Sequence, residues 1–264
     1  MTRVLSGAVL VSLSVAVVWF APIPIFEAFA FALLFAAVEE LVALFKAGGV
    51  QVPRWPAVAG ALVTLAAFAE TISSRELPLD VILMAELLAI ALVTLSAWRG
   101  GSDVLVTMSG ALFPSLYLAL PIGSIVAIRE SAGAAPLFLL MLTVMVSDTA
   151  QYYSGRLAGR RPLAATVSPK KTVEGAVGGF IGGAPVFVIA GAWWLPTVPP
   201  SVRVVLGIGI VAVGIAGDLF ESMLKRSVGA KDSSTLIPGH GGVLDRIDAL
   251  LFAAPFYYIV LKYV

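Results

Sequence analysis

Long apolar stretches limit this chain to a membrane fold. Nine of them approach or exceed the length of about 20 residues that crosses a bilayer as a helix. Hydrophobic residues make up 59% of the sequence and charged residues 12%, whereas a soluble domain is about 25% charged. No alternating pattern of barrel strands competes with these runs. We therefore predict an all-α integral membrane protein, a polytopic bundle of about nine transmembrane helices.

Two of the predicted spans are irregular. The third is short enough to be tilted or interfacial, and the fifth contains Pro114 and Pro121, which predict a kink or two short pieces. In chain order the predicted spans are residues 4–20, 25–45, 56–72, 81–98, 104–128, 135–153, 173–195, 204–220 and 243–264.

The distribution of Lys and Arg predicts the orientation in the membrane. The first apolar run is long and no clear cleavage site follows it, so we expect an uncleaved span rather than a signal peptide. We predict the N-terminus outside and assign 12 of the 17 basic residues to the cytoplasmic face of the cell inner membrane. The two longest polar loops, residues 154–172 and 221–242, are predicted to share that face.

Polar groups concentrate in the second half of the chain, after residue 143. We therefore divide the sequence into an N-terminal transmembrane region, 1–142, of unassigned role and a C-terminal transmembrane region, 143–264, that carries the candidate chemistry. The absence of cysteine excludes thiolate chemistry, and a single histidine excludes the multi-histidine zinc motifs. A net charge of only +1 gives no reason to expect a nucleic-acid partner. Hard oxygen ligands remain for a metal.

One candidate segment lies where an apolar helix becomes polar. Asp218, Ser222 and Lys225 fall on one helical face. A carboxylate near the mouth of a span is costly unless it has a partner, and such residues usually line a cavity. The alternative is a structural ion pair between Asp218 and Lys225.

A second segment is a glycine-rich loop that leads into a helix. Gly241 and Gly242 permit close approach of the backbone to a phosphate or metal. Asp245 and Asp248 in the first helical turn share one face, which suits joint ligation of a hard cation. Acidic side chains near a helix N-terminus also interact favourably with the helix dipole. The alternative is therefore that this pair has only a structural role. The neighbouring histidine, His240, and nearby basic residues favour a functional site.

A third segment joins a basic loop to an apolar span. Ser168 as N-cap and Pro169 at the first helical position predict a helix start there. Free backbone N–H groups together with Lys170 and Lys171 would then bind an anion. The alternative is a positively charged anchor that only fixes topology.

Gly175, Gly179 and Gly183 follow at a spacing of four residues. We expect them to permit close packing between helices, because small residues at this spacing are a common contact device in membranes.

Acidic residues inside predicted spans form the last group. Asp148, near the inner end of the sixth span, is a functional candidate by default. It could equally pair with Arg156, two turns along the same helix. Glu39, Glu40 and Glu86 have no motif around them, and we assign them no role. The acids, the basic residues and a site at the membrane surface together indicate phosphoryl or nucleotidyl transfer.

The region from Ser222 to Asp248 resembles the signature of the phosphatidate cytidylyltransferase family, also called CDP-diacylglycerol synthases. The matching features are the serine, a Lys-Arg pair, a Lys-Asp pair, a Pro-Gly-His-Gly-Gly loop and an Asp-Arg-hydrophobic-Asp run. The blocks around Asp148 and Arg156 and residues 168–175 are similar to that family too, so the resemblance covers about residues 143–250. Gln151 departs from it, since a small residue is expected there.

The resemblance implies transfer of CMP from CTP to phosphatidate, giving CDP-diacylglycerol and pyrophosphate. It also implies magnesium, a second monovalent cation such as potassium, and a homodimer. The expected catalytic residues are Asp218, Asp245, Lys171 and Lys225. The expected metal ligands are Asp218, Asp245, Asp248 and Asp148. The expected substrate-binding residues are Lys170, Arg226, Lys231, Ser222, His240, Gly241, Gly242 and Arg246.

Three alternatives stay open on the sequence alone. The same site could act, as a cytidylyltransferase or kinase, on another lipid such as an isoprenoid ether lipid or a polyprenol. A cation-coupled transporter would also use membrane acids and helix-breaking glycines. His240 either contacts a phosphate or holds the loop by hydrogen bonds.

Overall fold

The computed structural model describes residues 2–72, 78–100 and 103–263. These residues form nine helices and one small hairpin, which confirms the prediction of an all-α, multi-pass membrane protein. The helices are α1 Thr2–Phe20, α2 Ile23–Ala47, α3 Arg54–Ala66, α4 Leu79–Ala97, α5 Val104–Ser131, α6 Ala134–Ala158, α7 Val173–Trp194, α8 Pro200–Ser227 and α9 Leu244–Tyr263. The antiparallel strands β1 Pro162–Ala164 and β2 Ser168–Thr172 lie between α6 and α7.

Within the described residues, six helices are long and apolar enough to cross a membrane: α2, α4, α5, α6, α7 and α8. Helix α3 has 13 residues, about 20 Å at 1.5 Å per residue, so it is shorter than the bilayer core. The predicted third span, 56–72, was too long because the helix ends at Ala66 and turns follow. The first two turns of helix α9 carry the charged residues Asp245, Arg246 and Asp248.

The two prolines of α5 do not divide it. The helix runs from Val104 to Ser131, with a π-helical segment at Ser115–Ala119 directly after Pro114. Proline lacks a backbone N–H, so a wider turn is a common local adjustment. The Ser115 hydroxyl at this segment donates to the buried Glu86 carboxylate at 2.5 Å.

Glycines bring α6 and α7 into close contact, as predicted. A Cβ on Gly183 would lie 2.8 Å from Ser147 Cβ, and one on Gly179 would lie 2.5 Å from Gln151 Cγ. Real Cβ atoms do not approach so closely, so larger residues would force the helices apart. The unexpected Gln151 is therefore accommodated by a glycine on the facing helix. Helix α8 packs against α7 and α9, with the fully buried Leu206 and Ile210 in the core.

The predicted helix start at Ser168 and Pro169 is wrong. Both residues belong to strand β2, and α7 begins at Val173. Thr172 is the N-cap, and its hydroxyl accepts a hydrogen bond from the Gly175 N–H at 3.0 Å. Strand pairing with β1 determines the conformation here, so Lys170 and Lys171 lie on a strand rather than at a helix N-terminus.

The N-terminal helix contacts the glycine-rich loop. Helix α1 approaches the glycine-rich loop near its N-terminal end, because a Cβ on Gly7 would lie 3.2 Å from His240 Nε2. This contact places the N-terminal part of α1 beside the glycine-rich loop.

Candidate active site

A polar cavity of about 710 Å³ opens between α6, the hairpin, α7, α8 and the start of α9. Eight predicted site residues line it: Asp148, Lys170, Lys171, Asp218, Lys225, Asp245, Arg246 and Asp248. Gln151, Tyr152, Arg156 and Asp232 also contribute to the wall. Three segments that are far apart in sequence therefore converge on one site.

Two ion pairs connect the elements around this cavity. Lys171 on β2 pairs with Asp218 on α8, and their side chains are 22% and 28% exposed. Lys225 lies deeper, with its Nζ 2.5 Å from both Glu221 Oε2 and Asp245 Oδ1. The alternative pair of Asp218 with Lys225 is therefore wrong, since each residue has a different partner.

Asp245 is the best-connected carboxylate of the site. Its Oδ2 accepts hydrogen bonds from Ser233 N at 2.9 Å, Ser233 Oγ at 2.8 Å and Gly242 N at 2.8 Å. Its Oδ1 faces Lys225. These bonds hold the glycine-rich loop against the first turn of α9 and fix the orientation of one carboxylate at the cavity wall.

The glycines of the loop leave room for these carboxylates. Gly241 has φ +77°, and a Cβ there would lie 2.4 Å from Asp245 Oδ2. A Cβ on Gly242 would lie 2.1 Å from Ser233 Oγ and 2.3 Å from Glu40 Oε2. Larger residues at these positions would displace hydrogen-bonded polar groups.

Substitution Gly242→Ala is expected to lower the stability of the protein by roughly 1–3 kcal/mol, because the added methyl group overlaps two buried polar side chains. Gly214→Ala on α8 is the matched control, since a Cβ there would meet Ala249 Cβ at an ordinary 3.8 Å. Thermal unfolding of both variants in detergent measures the difference. Equal midpoints would contradict the close packing of the loop.

Six predicted substrate-binding residues lie outside the lining of this cavity. The Arg226 guanidinium donates to the Ala230 carbonyl at 3.0 Å and is exposed, and Lys231 is exposed in the loop. His240 donates its backbone N–H to Ile237 O at 2.9 Å, and its ring lies against α1. Ser222 is half-buried on α8. Gly241 and Gly242 contact the wall residue Asp245 instead of lining the cavity themselves.

Asp148 lies in the cavity wall with Arg156, but the two do not pair among the described contacts. Instead, the Asp148 carboxylate accepts a hydrogen bond from Gln151 Nε2 at 3.0 Å. Asp218 is close enough to Asp148 and Asp248 for their charges to interact. Asp148, Asp218 and Asp248 thus form a group of interacting carboxylates within the cavity.

The donor chemistry of this cavity suits a hard cation, since carboxylate oxygens are the ligands that Mg²⁺ prefers. In the described part of the chain, however, no three His, Asp or Glu side chains are close enough together to hold a metal ion. Asp218 and Asp245 instead bond to the ammonium groups of Lys171 and Lys225.

Sequence reasoning missed two acidic residues next to the site. Glu221 is 1% exposed and pairs with Lys225. Glu40, from the N-terminal region, is 5% exposed and contacts the glycine-rich loop. The available signal was the position of each acid within a long apolar helix, where ionisable residues are costly.

An apolar cavity of about 380 Å³ adjoins the polar one. Its walls come from α1, α2, α5, α6 and α9, and include Phe26, Phe138 and Leu250. Asp148, Arg246 and Asp248 line both cavities. Charged groups and a hydrocarbon surface therefore meet at one boundary.

Comparison with known proteins finds several phosphatidate cytidylyltransferases that are similar to this chain. A phosphatidate cytidylyltransferase of Aquifex aeolicus is 39% identical over 127 residues, covering 47% of this chain and 46% of the relative. One of Haemophilus influenzae is 45% identical over 128 residues, covering 46% and 44% respectively. One of Helicobacter pylori is 35% identical over 164 residues, covering 59% and 58%. The chain thus spans about half the length of the curated relatives it matches.

A family model described as "Cytidylyltransferase family" matches residues 1–264. The match includes the N-terminal region, for which the sequence motifs gave no alignment. It confirms the expected resemblance, and the chain belongs to the cytidylyltransferase family.

Proposed function

We propose that this protein transfers the CMP group of CTP to phosphatidate, forming CDP-diacylglycerol and pyrophosphate. The observation that carries the proposal is the meeting of the polar cavity with the apolar one at Asp148, Arg246 and Asp248. A substrate with a phosphate headgroup and hydrocarbon tails requires such a boundary. The similarity to proteins named phosphatidate cytidylyltransferases supports the same reaction.

In this reaction a phosphatidate phosphate oxygen attacks the α-phosphorus of CTP. A new P–O bond forms, the bond between the α-phosphorus and the bridging oxygen breaks, and pyrophosphate leaves. The nucleophile is already an anion, so a strong general base is unnecessary. The protein instead reduces repulsion between two polyanions and stabilises the leaving group.

The positive groups of the cavity suit this task. Lys170 and Lys171 on β2, Lys225 on α8 and Arg246 on α9 surround it from different sides. We assign the phosphates of CTP to these residues and the phosphatidate headgroup to the boundary at Arg246. The acyl chains then occupy the apolar cavity. Arg226 and Lys231 are exposed and adjacent in sequence to the lining residues Lys225 and Asp232, and we assign them the attraction of anions from solution.

Magnesium is part of the proposal as a cofactor. Because no three acids lie close enough together among the described residues, Asp218, Asp245, Asp248 and Asp148 would hold it together with phosphate oxygens of the substrates, where it would neutralise developing charge. A second monovalent cation such as potassium and a homodimeric assembly are proposed with it.

We also propose that the site faces the cytoplasm from the inner membrane. The sequence assigns 12 of the 17 basic residues to that face, and CTP arrives from that side. Because α1 approaches the site loop near its N-terminal end, this orientation brings the N-terminus to the cytoplasmic side instead of the expected outer side.

The test is pyrophosphate release by purified protein in detergent, with CTP and phosphatidate present. We expect release to require both substrates and magnesium, and to stop on chelation. Phosphatidylglycerol and a polyprenyl phosphate serve as comparison lipids. Release with polyprenyl phosphate but not phosphatidate would replace the proposed substrate, and release without any lipid would overturn the transfer.

A further inference from the structure

Glu40 connects the N-terminal region directly to the glycine-rich loop. Its Oε1 accepts hydrogen bonds from Ser234 Oγ at 2.7 Å and Val243 N at 2.9 Å. Its Oε2 accepts hydrogen bonds from Ser233 Oγ at 2.9 Å and Leu244 N at 2.9 Å. Glu40 is 5% exposed, so this carboxylate is withdrawn from solvent and bonded on both oxygens.

Two of these bonds cap α9 from another helix. The first N–H groups of a helix have no acceptor within it, and a negative charge beside them is favourable. Helix α9 begins at Leu244, and the Glu40 carboxylate accepts from Leu244 N and from the residue before it. Glu40 therefore determines where the chain turns into the helix that carries Asp245, Arg246 and Asp248.

One of the other two bonds, from Ser233, links Glu40 to the cavity wall. Ser233 Oγ lies 2.9 Å from Glu40 Oε2 and 2.8 Å from Asp245 Oδ2. The hydroxyl has one proton and donates to one carboxylate at a time. Backbone N–H groups donate to both carboxylates. Asp245 in turn bonds to Lys225. A continuous chain of contacts thus runs from α2 to a lysine that lines the cavity.

Neighbouring Glu39 provides a contrast within the same helix. It forms an ion pair with Arg54 at 2.8 Å, with side chains 29% and 50% exposed. It has no described contact with the loop. Of these two adjacent acids, Glu40 therefore contacts the glycine-rich loop, and Glu39 joins α2 to the start of α3.

We propose that Glu40 is a positioning residue that holds Asp245 and the start of α9 in the geometry required for nucleotidyl transfer. Glu40 does not line the polar cavity, so it acts through Asp245 rather than on the substrate. The activity part of this proposal rests on the proposed function. The structural part, a cap on α9 supplied by the N-terminal region, does not.

The activity test compares Glu40→Gln with Glu39→Gln in the full-length protein. We expect kcat to fall roughly 10- to 100-fold in Glu40→Gln, as for residues that orient a ligating group. We expect KM for CTP to change less than about threefold and Glu39→Gln to resemble the wild type. A loss confined to KM, or an equal loss in both variants, would overturn the positioning role.

A double-mutant cycle with Ser233→Ala tests the route through Asp245. If Glu40 acts by this route, the double variant loses less activity than the product of the two single losses, because both substitutions break one chain of contacts. Fully multiplicative losses would show independent action and overturn the route. Ser233→Ala leaves the backbone bonds of Glu40 intact, so it is also the milder variant if Glu40→Gln does not fold.

Hydrogen exchange of the amides at Val243 and Leu244 is a readout that needs no substrate. We expect exchange to be at least tenfold faster in Glu40→Gln than in the wild type, and unchanged in Glu39→Gln. Equal exchange in all three proteins would overturn the cap. A wild type without cytidylyltransfer would overturn the proposed function while leaving this result to decide the structural part.

Discussion

Replacing Lys225 with methionine is expected to reduce both activity and stability severely. Its Nζ lies 2.5 Å from Glu221 Oε2 and Asp245 Oδ1, whose side chains are 1% and 5% exposed. Removing one partner of a buried ion pair leaves a charge without compensation and costs about 3–5 kcal/mol. Here two carboxylates would remain in contact with an apolar side chain.

The loss of activity should be on the order of 10³-fold, because a preorganised positive group at the cavity is removed. The measurement combines pyrophosphate release with thermal unfolding in detergent. Lys46→Met is the control, since Lys46 is exposed in the last turn of α2. A Lys225→Met protein that unfolds like the wild type would show that the carboxylates are hydrated and the ion pairs weak.

Local sequence patterns predicted the helices but not every junction between them. Apolar runs longer than 17 residues require helices in a bilayer, whatever else the chain does. Ser168 and Pro169 carried a good helix-start signal, yet pairing with β1 makes them a strand. A hairpin forms only when a second segment pairs with the first. The sequence of the five residues in β2 does not by itself identify that partner.

The candidate site was also only partly predictable from the sequence. The motif residues that converge on the cavity, such as Asp218 and Asp245, were predictable because they lie in dense polar segments. The partners were not: Asp218 pairs with Lys171, which is 47 residues away. Glu40 contacts Leu244 across 204 positions. Spacing along a helix predicts neighbours three or four residues apart, whereas tertiary packing determines these contacts.

Asp218→Asn is expected to separate activity from stability, unlike Lys225→Met. Asp218 pairs with Lys171 in the wall of the cavity, where the side chains are 28% and 22% exposed. A pair that is open to water contributes about 1 kcal/mol or less, so the unfolding midpoint should change little. The carboxylate is also a proposed magnesium ligand, so kcat should fall on the order of 10³-fold.

The control is Asp80→Asn, an exposed acid in the first turn of α4. A titration with magnesium adds a further criterion, since losing a ligand should raise the concentration needed for half-maximal activity in Asp218→Asn but not in Asp80→Asn. If Asp218→Asn instead unfolds as readily as Lys225→Met and binds magnesium normally, the pair with Lys171 is structural. The proposed magnesium ligands would then be Asp148, Asp245 and Asp248, together with phosphate oxygens of the substrates.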